Sequence, residues 1–279
     1  MNDPLQQALA DALPVLQRIR DGLGPQPTAS QSRLERVQAL QASRPPAITK
    51  EAVPAPPSAT PAAPTPTAFD DQTPWTLESL RAAALACTKC PHLVKSRSQV
   101  VFGVGNPKAE LFFVGEAPGA DEDEQGEPFV GRAGQLLTKI IAAMDFQRDD
   151  VYIGNVLKCR PDMPAGSAGN RKPRPEEMST CLPWLEKQIE LIRPRVMVAL
   201  GATALEGLLG STTPVSKMRG KWLDFRGIPV MATYHPAYLL RNQSIAEKRK
   251  VWEDMLQVLE RLGKPITAKQ RNFFTQAGS

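Results

Sequence analysis

The chain has 279 residues, 34 Lys or Arg, 29 Asp or Glu and a formal charge of +5, which leaves room for one large or two small domains. No apolar run approaches the length of a bilayer span, and the N-terminus lacks the basic-then-apolar pattern of a secretory leader, so a cytoplasmic protein without membrane association is expected. Thiols in that compartment stay reduced, and the four cysteines read better as metal ligands than as disulfides.

In chain order, a Pro- and Ala-rich segment comes first. Thirteen of the 27 prolines precede Trp75, and residues 44–73 are dominated by Pro, Ala, Thr and Ser. Such a mixture buries too little apolar surface to offset ordering entropy, so residues 1–75 are expected to form a disordered tail. Leu5, Leu9, Leu13, Leu16 and Ile19 recur at helical steps, which predicts a short helix near 5–22 and a docking peptide as one use for it. A contact between this tail and another protein is an expectation of the same kind. The rest of the chain holds 28 basic against 22 acidic residues, a modest excess compatible with a polyanion partner.

From residue 76 the pattern alternates. Helices are expected at 77–86, 133–144, 175–192, 202–209 and 245–262, and strands at 111–114, 151–153, 196–200 and 230–233. Alternation of this kind predicts an α/β fold, a three-layer doubly wound sandwich with a central, mostly parallel four-stranded sheet. The folded domain is expected over 76–263, followed by a C-terminal tail at 264–279. In such a sheet, ligands bind beyond the carboxyl ends of the strands. Glu116, Asn155, Gly201 and His235 stand at those ends. The helix opening at Ala202 would offer unpaired N–H donors to a phosphate.

The run from Gly115 to Gly134, GEAPGADEDEQGEPFVGRAG, follows the first strand and combines turn-forming residues with carboxylates and Phe129. It reads as an active-site loop. Cys87 and Cys90 form a CxxC, Cys159 lies in VLKCRP and Cys181 in STCLPW. Four thiolates in two groups suit zinc or an iron–sulfur cluster, and spacing does not choose between them. Lys158, Arg160, Arg171, Lys172 and Arg174 suggest a basic face beside the metal. Residues 160–180 form a long loop between the third and fourth cysteines.

Taken together, GEAPGADEDEQGEPFVGRAG, NVLKCRP, the four cysteines and HPAYLLRN resemble the family 4 uracil-DNA glycosylases, the iron–sulfur branch of the uracil-DNA glycosylase superfamily. The resemblance covers about 80–262 and excludes the N-terminal tail, for which a contact with another repair or replication protein is an expectation. It implies a structural [4Fe–4S] cluster on Cys87, Cys90, Cys159 and Cys181, with zinc the weaker alternative. It also implies a monomeric enzyme that flips uracil from DNA and hydrolyses its N-glycosidic bond. By the same resemblance Glu116 directs water and stabilises the sugar cation, and His235 donates to a uracil carbonyl. Asn155 would read the O4 and N3–H edge, Phe129 would stack on the flipped base, and Glu122 would line the pocket. Asp121, Asp123 and Glu124 are expected to be solvated. Leu239, Leu240 and Arg241 are wedge candidates toward DNA. The Glu in GEAPG separates the chain from family 5, which carries an apolar residue there, and the absence of a histidine from 160–180 argues against covalent trapping of uracil. The rival from another class is a non-catalytic, metal-stabilised protein that binds DNA or nucleotides.

Overall fold

The computed structural model describes residues 74–275 except 165, 166 and 168. The expected helix near 5–22 and nearly all of the expected tail lie outside these residues. The chain runs through α1 (Leu77–Leu85), α2 (Pro91–Ser96), β1 (Val104–Gly105), β2 (Leu111–Gly115), α3 (Ala120–Gln125), α4 (Arg132–Ala143) and β3 (Tyr152–Asn155). It continues through α5 (Pro175–Ile192), β4 (Val196–Leu200), α6 (Ala202–Leu209), α7 (Val215–Met218), β5 (Trp222–Phe225) and β6 (Ile228–Thr233). Three helices close it: α8 (Pro236–Arg241), α9 (Ile245–Leu262) and α10 (Ala268–Arg271).

The sheet order is β1-β3-β2-β4-β6-β5. Its inner four strands are parallel, and both edge strands pair antiparallel. The expected four-stranded sheet is therefore corrected to six strands. The parallel core matches expectation, while β1 and β5 were not anticipated because one has two residues and the other is half-exposed.

Strands β2, β3 and β4 are buried at every position, which is why they read as unbroken apolar runs rather than alternating ones. Alternate side chains feed different layers. Leu111, Phe113, Ile153, Val198 and Met231 pack with α4 and α9 on one face, while Phe112, Val114, Tyr152, Met197 and Ala232 pack with α5 and α6 on the other. Full burial of Phe112 and Phe113 alone contributes about 1.5–3 kcal/mol each.

A third, smaller cluster gathers Leu80, Ala84, Leu93, Leu157, Cys159, Cys181 and Trp184, and joins α1 and α2 to the sandwich. The segment after residue 263, expected as a tail, folds back through α10. Gln270 is buried there, receives Trp252 Nε1–H on its carbonyl at 2.6 Å and donates to the Ala143 carbonyl at 3.0 Å. Among the described residues, no helix is long and apolar enough to cross a membrane.

Candidate active site and cysteine cage

The strand ends converge as the topology requires. Pairing between β2 and β3 continues past the strands, with Val156 N–H donating to the Gly115 carbonyl and Leu157 N–H to the Glu116 carbonyl, both at 3.0 Å. Glu116 and Asn155 are thereby held side by side. Asn155 is buried, and its Oδ1 has no hydrogen-bond partner. A Cβ at Gly115 would lie 2.4 Å from Asn155 Oδ1 and 2.5 Å from Phe129 Cζ. Only glycine lets the amide and the ring come this close.

Phe129 holds φ +56, an unusual conformation for an aromatic residue, and its carbonyl lies where a side chain on Gly134 would begin, 1.8 Å from the would-be Cβ. The start of α4 thus clamps the loop. Phe129 stacks on His235, with ring centroids 5.6 Å apart and planes at 30°. His235 Nδ1 accepts from Ala237 N–H at 3.1 Å, which leaves the proton on Nε2. Burial first, and then the Arg241 charge, push the imidazole down to about 4, so it stays neutral near pH 7.

Burial raises the Glu116 carboxyl above its usual value. The Thr203 hydroxyl and Lys172 oppose that rise, and Glu206 reinforces it. Gly201 caps α6 with φ +93, and Ala202 and Thr203 form the helix's first turn. A side chain of the protein itself, Glu116, thus faces Thr203 in the first turn where a ligand phosphate was expected. The Thr203 backbone N–H was expected, with that of Ala202, to serve an anion; its hydroxyl as a partner of Glu116 was not foreseen.

Glu122 does not simply line a wall. Its Oε1 accepts from Val130 and Gly131 N–H at 3.0 Å and its Oε2 from Gly119 N–H at 3.1 Å, which fastens both ends of the loop. Asp123, expected to be solvated, is 3% exposed and accepts Ser98 N–H on both oxygens, at 2.9 and 3.1 Å. Asp121 and Glu124 are exposed as expected. Behind His235, Asp254 is fully buried, accepts from Thr233 Oγ1 at 2.6 Å and pairs with Arg219 at 2.8 Å. This network fixes the end of β6.

The four cysteines, free thiols in the structure, line one small hollow together with Leu157 and Trp184. Arg97 Nη1 donates to Cys159 Sγ at 2.9 Å and its Nη2 to the Cys87 carbonyl at 2.6 Å, while Lys158 N–H donates to Cys181 Sγ at 3.2 Å. Burial pushes the Cys181 thiol up to about 12 and Cys90 to about 11, with neighbouring thiols adding to both. Such a set holds four thiolates only around a cation.

A family model described as the uracil DNA glycosylase superfamily matches residues 102–256. A type-4 uracil-DNA glycosylase of Thermotoga maritima is 49% identical over 172 residues, covering 61% of this chain and 85% of that protein. One from Archaeoglobus fulgidus is 43% identical over 180 residues, 62% of this chain and 87% of that protein. A type-5 uracil-DNA glycosylase of Pyrobaculum aerophilum is 32% identical over 208 residues, 63% of this chain and 87% of that protein. The chain belongs to the type-4 uracil-DNA glycosylases.

Within this type-4 glycosylase two expectations change. The basic face is reduced: Lys158 is buried, and Lys172 pairs with Glu206 at 2.5 Å. Arg171 bonds Asp162 and both oxygens of Glu177, whose Oε1 also faces His92 Nε2 at 2.7 Å. Arg171 sits among His92, Asp162 and Glu177, so this cluster is an ion network pinning the loop after Cys159 to α2 and α5; the loop expected over 160–180 ends at Arg174, because α5 begins at Pro175. Leu239 is 4% exposed and belongs to the core, which removes it as a wedge, whereas Arg241 is exposed and Leu240 half-buried.

Proposed function

We propose that this glycosylase extrudes uracil from DNA and hydrolyses its N-glycosidic bond, leaving an abasic site. The observation that carries the reading is Asn155 Oδ1: a buried acceptor without a partner is costly unless a ligand supplies the donor. Uracil N3–H is such a donor. Cytosine presents a bare acceptor at N3, which would face this oxygen unfavourably.

The chemistry then follows from the neighbours. As the C1′–N1 bond lengthens, its electron pair moves onto the uracil ring and positive charge grows on the sugar. The Glu116 carboxylate stabilises that charge and orients the water whose oxygen bonds to C1′ and whose proton is released. His235, neutral and protonated on Nε2, donates to the uracil carbonyl where negative charge gathers. Phe129 offers a flat face to the extruded base, offsetting the loss of stacking in the duplex. Arg241 is an exposed cation beside this site.

The cage fits a [4Fe–4S] cluster held by Cys87, Cys90, Cys159 and Cys181. Its four-thiol donor set and the N–H donors on two sulfurs support a metal centre, and the likeness to type-4 enzymes favours the cluster over zinc. When bound, such a cluster would cross-link α1 and α2 to β3 and α5. The purified protein is expected to be brown, to absorb visible light and to contain about four irons per chain. Colourless protein with one zinc would overturn the assignment.

Incubation of cluster-intact protein with uracil-containing DNA under reducing conditions, followed by detection of abasic sites, tests the activity. Tight binding without product favours a non-catalytic binding protein. Asn155→Asp is expected to loosen discrimination, lowering the ratio of uracil to cytosine excision by at least about tenfold, since a single well-placed hydrogen bond accounts for that much. Unchanged selectivity would remove Asn155 from base reading.

A further inference from the structure

Lys158 is unexplained by the reaction. Its side chain is 1% exposed, yet its ammonium meets only neutral groups: the Asn155 carbonyl at 2.9 Å, Gln188 Oε1 at 2.5 Å and, 6.0 Å from the ring centroid, Phe102. Among the described residues, no carboxylate lies within 4.0 Å of its Nζ. A buried ammonium without an anion carries a heavy desolvation cost. The groups beside this chain segment that become anions when a metal binds are sulfurs. Lys158 N–H donates to Cys181 Sγ at 3.2 Å, and the next residue is Cys159.

The other end of the segment is Asn155. Its Oδ1 has no partner, so the side chain takes its position from the backbone. That backbone is held by pairing with β2 on one side and by the Lys158 ammonium on its carbonyl. The ammonium is itself oriented. Gln188 Nε2 donates to the Phe102 carbonyl at 3.0 Å and to Tyr152 OH at 3.2 Å, which leaves Gln188 Oε1 turned toward Lys158. Gln188 lies two turns after Cys181 and on the same face of α5.

The geometry points to Lys158 as a positioning residue that joins the cysteine cage to the base-reading amide, counter-charge to the thiolates at one end and clasp on the Asn155 carbonyl at the other. This inference rests on the assignments of Asn155 and of the cluster made above. Metal ligands are commonly oriented and tuned by such outer groups, and losing one costs about 10- to 100-fold in affinity or activity. Here the same group serves the substrate pocket.

The experiment compares cluster-loaded wild type, Lys158→Met and Gln188→Leu for kcat, KM, the uracil-to-cytosine ratio and the midpoint potential of the cluster. Lys158→Met keeps the length of the side chain and removes its charge. It is expected to lower kcat and the uracil-to-cytosine ratio about 10- to 100-fold with KM little changed, and to move the potential negative, because a lost cation disfavours the added electron. Gln188→Leu keeps the charge and loosens the clasp, so kcat falls while the potential stays. A merely structural lysine would lower thermal stability and move none of these readouts, and that result overturns the inference. If Lys158→Met does not fold, Gln188→Leu decides, and unchanged kcat and selectivity there overturn it as well. Colourless wild type would instead sink the cluster assignment, and an Asn155→Asp enzyme equal to wild type the base-reading one.

Discussion

Glu116→Gln is expected to lower turnover on uracil-containing DNA by about 10²- to 10⁴-fold while DNA binding survives. The substitution preserves volume and the approach to Thr203 but removes the negative charge that faces the developing sugar cation. Wild-type rates in this variant would take Glu116 out of the reaction. The same residue sets a pH signature. Burial raises its carboxyl above the usual value, and the ionised form is the useful one, so kcat is expected to fall on the acid side at a pH above the ordinary 4.5. In Glu116→Gln that acid limb disappears. Stability moves the other way: a carboxyl with a raised folded-state pKa binds protons more readily folded than unfolded, so its contribution declines as pH rises through the unfolded value toward the folded one. Glu116→Gln is therefore expected to melt higher than wild type at pH 7 by calorimetry, a trade of stability for activity common at active sites.

His235→Ala is expected to lower kcat by about 10²- to 10³-fold, the usual effect of deleting one donor to a developing anion. The Nδ1 contact with Ala237 N–H commits the proton to Nε2, so the ring donates without needing a positive charge. Held down at about 4 by burial and by Arg241, it does not titrate where the enzyme works. The kcat profile should then show no limb near the ordinary histidine value of about 6.5. A limb there that vanishes in His235→Ala would mean that the imidazolium is the active form. For folding the sign is plain. Between about 6.5 and 4 the unfolded chain holds a proton that the folded one refuses, so stability is lost as pH falls through that window. His235→Ala should flatten that loss in acid melting curves.

The inner strands were legible because parallel strands covered on both faces must be apolar at consecutive positions, as in Leu111–Gly115 and Val196–Leu200. The rule that ligands lie beyond strand ends then singled out Glu116, Asn155, Gly201 and His235 without reference to any one of them. The edge strands escaped notice. Val104–Gly105 is too short to show a period, and Trp222–Phe225 alternates weakly. The fold-back at the C-terminus had a signal in Thr267 and Gln270, whose side chains cap α10 reciprocally. Buried charges were the least readable. Asp123 is satisfied by a backbone N–H 25 residues away, and Lys158 by Gln188, 30 residues away. A lysine before a cysteine reads locally as surface. Which charge goes inside is decided by partners that only the fold brings near.

The small apolar cluster under α1 and α2 has a consequence for durability. Cys159 and Cys181 belong to the sandwich, one after its β3 strand and one in one of its two longest helices, and both are buried. Cys87 and Cys90 flank a separate pair of short helices that fully bury only Leu80, Ala84 and Leu93. Oxidative loss of the proposed cluster would therefore open this helix pair to proteolysis while the sheet stays closed.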